Sequence, residues 1–137
     1  SFLFIPANWN SYSKSDTALR PLIIIDALYK DLKKPKFEAY TAEIAVVITE
    51  LDYFIKNIEK LSRPKRLKSS LLNFPSKDYI YQDPYGRVLI IAPWNYPFQL
   101  LINPLAAAVA AGNCVICKPS EISYETCFQG ASPLVSV

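Results

Sequence analysis

The stretch Gly86-Arg-Val-Leu-Ile-Ile-Ala-Pro-Trp-Asn-Tyr-Pro-Phe98, together with Gly112-Asn-Cys-Val-Ile-Cys-Lys-Pro-Ser-Glu121 beyond it, decides the fold of this chain. Arg87 to Ala92 is an unbroken apolar run of strand length, the pattern of a strand covered on both faces in a parallel sheet. Pro97 suits a first helical turn, where its missing N–H would have had no partner. Phe98, Leu101 and Ile102 supply the buried face of that helix. Asn103-Pro104 predicts a kink or restart before the alanine-rich Leu105 to Ala111, and Gly112-Asn113 ends the segment. Cys114 to Lys118 reads as a second strand, stopped by Pro119. Ser120 or Ser123, with Glu121 or Glu125 nearby, opens another helix through a capping box. The order strand, helix, strand, helix start is one βαβ unit, so the fold class is α/β.

Upstream, the period changes. Ile24, Leu28 and Leu32 mark one face of a helix from about Leu22 to Lys33, closed by lysines and Pro35. A longer helix follows, in which Phe37, Tyr40, Ile44, Val47, Leu51, Phe54, Ile58 and Leu61 recur at steps of three and four and form one apolar stripe. That stripe suits packing against the rest of a globular fold, with a coiled coil as the alternative. The basic cluster Arg63-Pro-Lys-Arg-Leu-Lys68 reads as a solvated connecting loop, the alternatives being a nuclear address or a contact with an anionic surface. Lys77 to Gln82 alternates like a strand, and Asp83-Pro-Tyr-Gly86 supplies a turn. The expected organisation is one partial domain: residues 1–25 irregular, 26–62 helical, 63–87 basic loop with strand and turn, 88–127 the start of a dinucleotide-binding βαβ, and 128–137 an irregular tail.

Composition excludes several chemistries. The 137 residues contain no histidine, so neither a Ser-His-Asp nor a Cys-His site can be built from them. The three glycines, Gly86, Gly112 and Gly130, have the spacing of neither a G-x-G-x-x-G nor a Walker loop. A net charge of +3, spread along the chain, implies no nucleic-acid partner. Apolar stretches reach about eight residues where a bilayer span needs about twenty, so no membrane span is expected. Three cysteines make an odd number without a disulfide framework, which fits a reducing compartment, and a cytoplasmic location is the expectation. Cys114-Val-Ile-Cys117 has C-x-x-C spacing, but in a strand residues three apart face opposite ways. Buried thiols are therefore favoured over a zinc or redox pair, and no metal site is expected. The chain has no methionine, so Ser1 is not expected to be the translation start.

Ligands of such sheets gather beyond the carboxyl ends of the strands, and two short motifs lie there. In Pro93-Trp94-Asn95-Tyr96-Pro97, two prolines and bulky rings hold an amide that either donates to a developing oxyanion or caps the helix. In Lys118-Pro119-Ser120-Glu121, a carboxylate and an ammonium suit a ribose or phosphate, or make a strand-end turn. These runs, with Asn103-Pro-Leu-Ala-Ala-Ala-Val-Ala-Ala-Gly112 between them, resemble the aldehyde dehydrogenase superfamily. Asp31-Leu-Lys-Lys-Pro-Lys-Phe-Glu-Ala-Tyr40 and Asn73-Phe-Pro-Ser-Lys77 are similar to its class 3 branch of fatty-aldehyde and other medium- and long-chain aldehyde enzymes. The resemblance covers about residues 26–127. It implies the N-terminal part of a Rossmann-like enzyme that oxidises aldehydes to carboxylic acids with NAD or NADP. Asn95 would then stabilise the oxyanion, Ala92, Pro93 and Trp94 would line the cofactor channel, and Lys118 and Glu121 would bind the adenosine ribose. An aldehyde substrate and a homodimer are the implied partners.

The pattern also departs from the family. The family's cysteine nucleophile and glutamate base fall beyond the position of Val137, and none of Cys114, Cys117 or Cys127 matches that nucleophile. The 137 residues alone are therefore expected to be inactive. The resemblance fades before about Ile25 and after Cys127, which suggests a truncated or imperfect gene model, or an alternative product of a larger gene. An alternative is a non-catalytic product that uses its amphipathic helix to bind a partner or pair with a subunit.

Overall fold

The structure, a computed structural model, describes residues 3–5, 21–70, 72 and 74–131. Its elements run β1 (Leu3–Ile5), α1 (Pro21–Leu32), α2 (Lys36–Glu38), a π-helical segment (Ala39–Ile44), α3 (Ala45–Ser62), β2 (Lys65–Arg66), β3 (Tyr79–Ile80), β4 (Arg87–Ile91), α4 (Pro97–Ala110), β5 (Cys114–Lys118), a 3-10 turn (Glu121–Ser123) and α5 (Tyr124–Ala131). The class is α/β. Strands β4 and β5 pair in parallel, with Val88 opposite Val115 and Ile91 opposite Lys118, and α4 connects them. This is the βαβ unit read from the sequence.

Helix α4 is the centre of the core. Phe98, Leu101, Ile102, Leu105 and Val109 are buried in one cluster with Ile90 of β4 and Val115 and Cys117 of β5. Helix α4 also meets the π segment, α3 and α5. The helix does not restart at Pro104 but runs through it as one element. A proline inside a helix costs about 3 kcal/mol, but each fully buried large apolar side chain contributes about 1.5–3 kcal/mol. Leu101, Ile102 and Leu105 flank Pro104 and are all buried, so packing holds the helix in one piece. Gly112 ends it at φ +82°, a left-handed conformation that favours glycine.

Five other expectations need correction. Residues 1–25 are not all irregular, since β1 pairs antiparallel with β5, Leu3 opposite Cys117 and Ile5 opposite Val115. Three residues are too few to show a period, and residues 6–20 lie outside the described ones. The basic loop contains a strand, with Lys65 opposite Ile80 and Arg66 opposite Tyr79, and the strand expected over residues 77–82 shortens to Tyr79–Ile80. The 128–137 tail is helical as far as Ala131, with the remainder outside the described residues. Strand β4 is not covered on both faces. It lies at an edge of the sheet order β1-β5-β4, and Leu89 and Ile91 are exposed.

The fifth correction concerns the apolar stripe. The π segment is wider than an α-helical turn, so it rotates the face presented to the core. Ala39, Glu43, Ile44 and Val47 are buried, whereas Phe37, 80% exposed, and Tyr40 point outward. Leu51, Phe54 and Ile58 are half-buried and Leu61 is exposed. Packing wins over a coiled coil at the start of the stripe: Ile44 and Val47 are buried as the spacing predicts, while Ala39 and Glu43 take the places of Phe37 and Tyr40. No helix among the described residues is long and apolar enough to cross a membrane.

Candidate functional site

The two strand-end motifs emerge side by side, because β4 and β5 are parallel neighbours. The Ala92 amide donates to the Lys118 carbonyl at 3.1 Å, tying the two ends together just before the chain leaves the sheet. Ala92 is buried, while Pro93, Trp94 and Asn95 are exposed on the loop that follows. The Asn95 carboxamide makes no hydrogen bond to the described residues. It does not cap α4: the capping position is Tyr96, which offers no side-chain hydrogen bond.

The cap comes instead from Glu43, a residue the sequence reading missed. Its carboxylate is fully buried, and Oε2 accepts from the amides of Phe98 at 2.9 Å and Gln99 at 3.3 Å. These are donors that the first turn of a helix leaves unpaired. Its other oxygen, Oε1, accepts from Lys34 Nζ at 2.5 Å, and that ammonium is itself only 7% exposed. Lys34 Nζ also donates to the Asn95 carbonyl at 3.0 Å and stands 4.2 Å from the centre of the Tyr96 ring. A buried carboxylate and a buried ammonium thus satisfy each other while gripping the loop that carries Asn95. Glu43 shares the buried face with Ala39 and Val47 because of the π segment, and a carboxylate buried there requires a cation.

At the end of β5, Lys118 Nζ is hydrogen-bonded to Glu121 Oε1 and also donates to the Pro119 carbonyl at 3.3 Å. The ammonium beside it holds the Glu121 carboxyl below its usual range. The carboxylate is open to solvent, with 77% of the side chain exposed. Ser120 Oγ accepts from the Ile122 amide and opens the 3-10 turn, but the capping box does not extend to α5. Asp31 takes that place, its Oδ2 accepting from the amide and the hydroxyl of Thr126, each at 2.8 Å. Asn113, also missed, is buried; its Oδ1 accepts from the Gly86 amide at 3.0 Å, and its Nδ2 donates to the Ala108 carbonyl at 3.0 Å. It locks the entrance of β4 to the end of α4.

No side-chain bond joins Asn95 to Lys118 or Glu121 among the described residues; the structure brings them to one end of the sheet without linking them. The thiols are placed for packing. Cys117 and Cys127 are buried, and burial pushes Cys117 up to about 11 and Cys127 upward, so both stay protonated at neutral pH. Among the described residues no cluster of histidine, cysteine, aspartate and glutamate could hold a metal ion.

Comparison with known proteins adds the lineage. The sequence profile described as the aldehyde dehydrogenase family matches residues 20–132, more of the chain than the resemblance first covered. The 4,4'-diaponeurosporen-aldehyde dehydrogenase of Staphylococcus aureus is 48% identical over 100 residues, which are 73% of this chain and 22% of that protein. Aldehyde dehydrogenase family 3 member B2 of Mus musculus is 46% identical over 104 residues, 76% of this chain and 22% of the mouse protein. Family 3 member A2 of Macaca fascicularis is 45% identical over 103 residues, 75% of this chain and 21% of its own length. The chain thus spans about a fifth of these relatives. A solved structure of the substrate-bound state of Staphylococcus aureus AldH superposes with a TM-score of 0.83 at 40% identity, covering 87% of this chain and 26% of that one. The NADP-complexed, NADP-dependent glyceraldehyde-3-phosphate dehydrogenase of Bacillus halodurans C-125 shares the fold, with a TM-score of 0.71 at 24% identity over 84% of this chain and 24% of its own. On the profile match and on these class 3 relatives, the chain belongs to the aldehyde dehydrogenase family.

Proposed function

We propose that this chain supplies the oxyanion donor and the adenosine-ribose end of the cofactor shelf in an NAD(P)-dependent aldehyde dehydrogenase that converts aldehydes to carboxylic acids. One observation carries the reading: an exposed, unpaired Asn95 carboxamide on a loop whose backbone is held by Lys34, with an ionised and exposed Glu121 at the next strand end. When a nucleophile adds to an aldehyde carbon, the carbonyl π electrons move onto oxygen. Asn95 Nδ2 donates to that oxygen, and preorganisation makes the donation effective, because the loop is fixed before charge develops.

The residues present fit a dinucleotide at its sugar end. An exposed carboxylate at a strand's carboxyl end accepts from both ribose hydroxyls, and Lys118 donates to the same sugar or meets a 2′-phosphate. Ala92, Pro93 and Trp94 line the approach, with Trp94 half-exposed and free to pack on an apolar surface. When bound, the nicotinamide cofactor supplies the hydride acceptor. The nucleophile is none of Cys114, Cys117 and Cys127, so these residues alone are expected not to turn over aldehyde.

The test uses the native protein that contains this sequence, assayed with octanal and either NAD+ or NADP+. Asn95→Ala is expected to lower kcat about 10²- to 10³-fold, the cost of one oxyanion donor. Full activity in that variant would overturn the role of Asn95, and no aldehyde oxidation by the parent protein would overturn the function.

A further inference from the structure

We propose that Asp31, Lys34 and Glu43 form a positioning clamp that sets both halves of this site, the Asn95 loop through Lys34 and Glu43 and the Lys118–Glu121 turn through Asp31. The inference rests on the function proposed above and adds three residues to it, none of which touches substrate or cofactor.

The geometry is economical. Asp31 lies in the last turn of α1, Lys34 lies two residues beyond its end, and Glu43 enters from the π segment nine residues after Lys34. From this short stretch one carboxylate reaches across 95 positions in sequence to hold Thr126, at the head of the helix that follows the Lys118–Glu121 turn. The second carboxylate reaches across 55 positions to the Phe98 amide, at the head of the helix that follows the Asn95 loop. Lys34 closes the arrangement by holding the Asn95 carbonyl itself. A loop with an exposed carboxamide and no side-chain cap of its own has little else to fix it. With Lys34 bound to its main-chain oxygen, the side chain of Asn95 is free to donate outward while its backbone stays put. The π segment belongs to the same device. It turns Glu43 inward and Tyr40 outward, the reverse of what the apolar spacing favours, and π segments recur at functional sites.

The two arms of the clamp give separable signatures. In the native protein, the paired replacement Lys34→Met/Glu43→Leu removes the tether without leaving a charge buried. It is expected to lower kcat for octanal about tenfold or more, as small misplacements of catalytic groups do. In an Asn95→Ala background the same replacement should cost less than about twofold, because the group being positioned is already gone. Glu43→Gln, which keeps an oxygen for the Phe98 amide, is read by the same cycle if the paired variant does not fold. Asp31→Asn should raise KM for the cofactor with kcat little changed. An unchanged kcat in the paired or Glu43→Gln variant of an active parent would overturn the clamp, as would equal losses with and without Asn95. Both arms moving the same parameter by the same factor would also overturn it. An inactive parent protein would remove the functional reading and the clamp together.

Discussion

Replacing Glu43 by alanine should be among the most damaging single changes in the chain, and the reason can be worked from the structure. The substitution deletes the carboxylate that pairs with Lys34 at 2.5 Å and caps α4 through Phe98 and Gln99. The Lys34 ammonium then stays buried with only the Asn95 carbonyl and the Tyr96 ring as partners. Removing one partner of a buried ion pair costs about 3–5 kcal/mol, because the charge left behind has lost both water and its counter-ion. Replacing both residues together, Lys34→Met/Glu43→Leu, leaves no charge to desolvate. Its cost reduces to the lost cap, about 0.5–2 kcal/mol. Urea denaturation followed by tryptophan fluorescence measures both. With a slope of about 1–3 kcal/mol per molar, the single variant should lose more than about 1 M in midpoint, and the paired variant much less. A single variant within about 1 kcal/mol of the parent would refute the reasoning, as would a paired variant as unstable as the single one.

Three further outcomes follow from the same contacts. Asp31→Ala should cost about 1–3 kcal/mol by orphaning the Thr126 amide and hydroxyl, and hydrogen exchange at Thr126 should accelerate selectively. Burial raises Cys117 from 9.0 to about 11, so the folded state holds this proton more tightly than the unfolded one. Its contribution is fully present below pH 9, falls as pH rises towards 11 and amounts to about 2–3 kcal/mol, so unfolding in denaturant should show an alkaline loss that Cys117→Ala flattens. A Cβ at Gly130 would come within 3.0 Å of the Phe98 ring, which is buried, so Gly130→Ala should destabilise by about 1–3 kcal/mol in thermal melts despite its better helix propensity.

The βαβ unit was legible because its signals are local. An unbroken apolar run, a proline at a helix start and a glycine at a helix end each act within a few residues, and β4, α4 and β5 lie where they point. The strand-end motifs were legible for the same reason. What escaped was long-range. Glu43, Lys34 and Asp31 act on partners 55 to 95 positions away, and no period or short motif announces such a pairing. The helical stripe misled because a regular 3.6-residue spacing cannot anticipate a π segment, which put Phe37 and Tyr40 outside and Glu43 inside. A restart at Pro104 did not occur because the buried side chains around it outweigh its propensity. The exposed Leu89 and Ile91 show the opposite case, in which the pattern describes a strand covered on both faces and the described residues cover only one.

The proposed site is tested most directly by where the cofactor sugar lies. A crystal structure of the native protein containing this sequence, grown with NAD+ and with NADP+, should place the adenosine ribose at the end of β5. The Glu121 carboxylate would accept from its hydroxyls, and Asn95 Nδ2 would face the cofactor's reactive end without any protein partner. A ribose bound away from Lys118 and Glu121, or an Asn95 side chain turned back to cap α4, would contradict it.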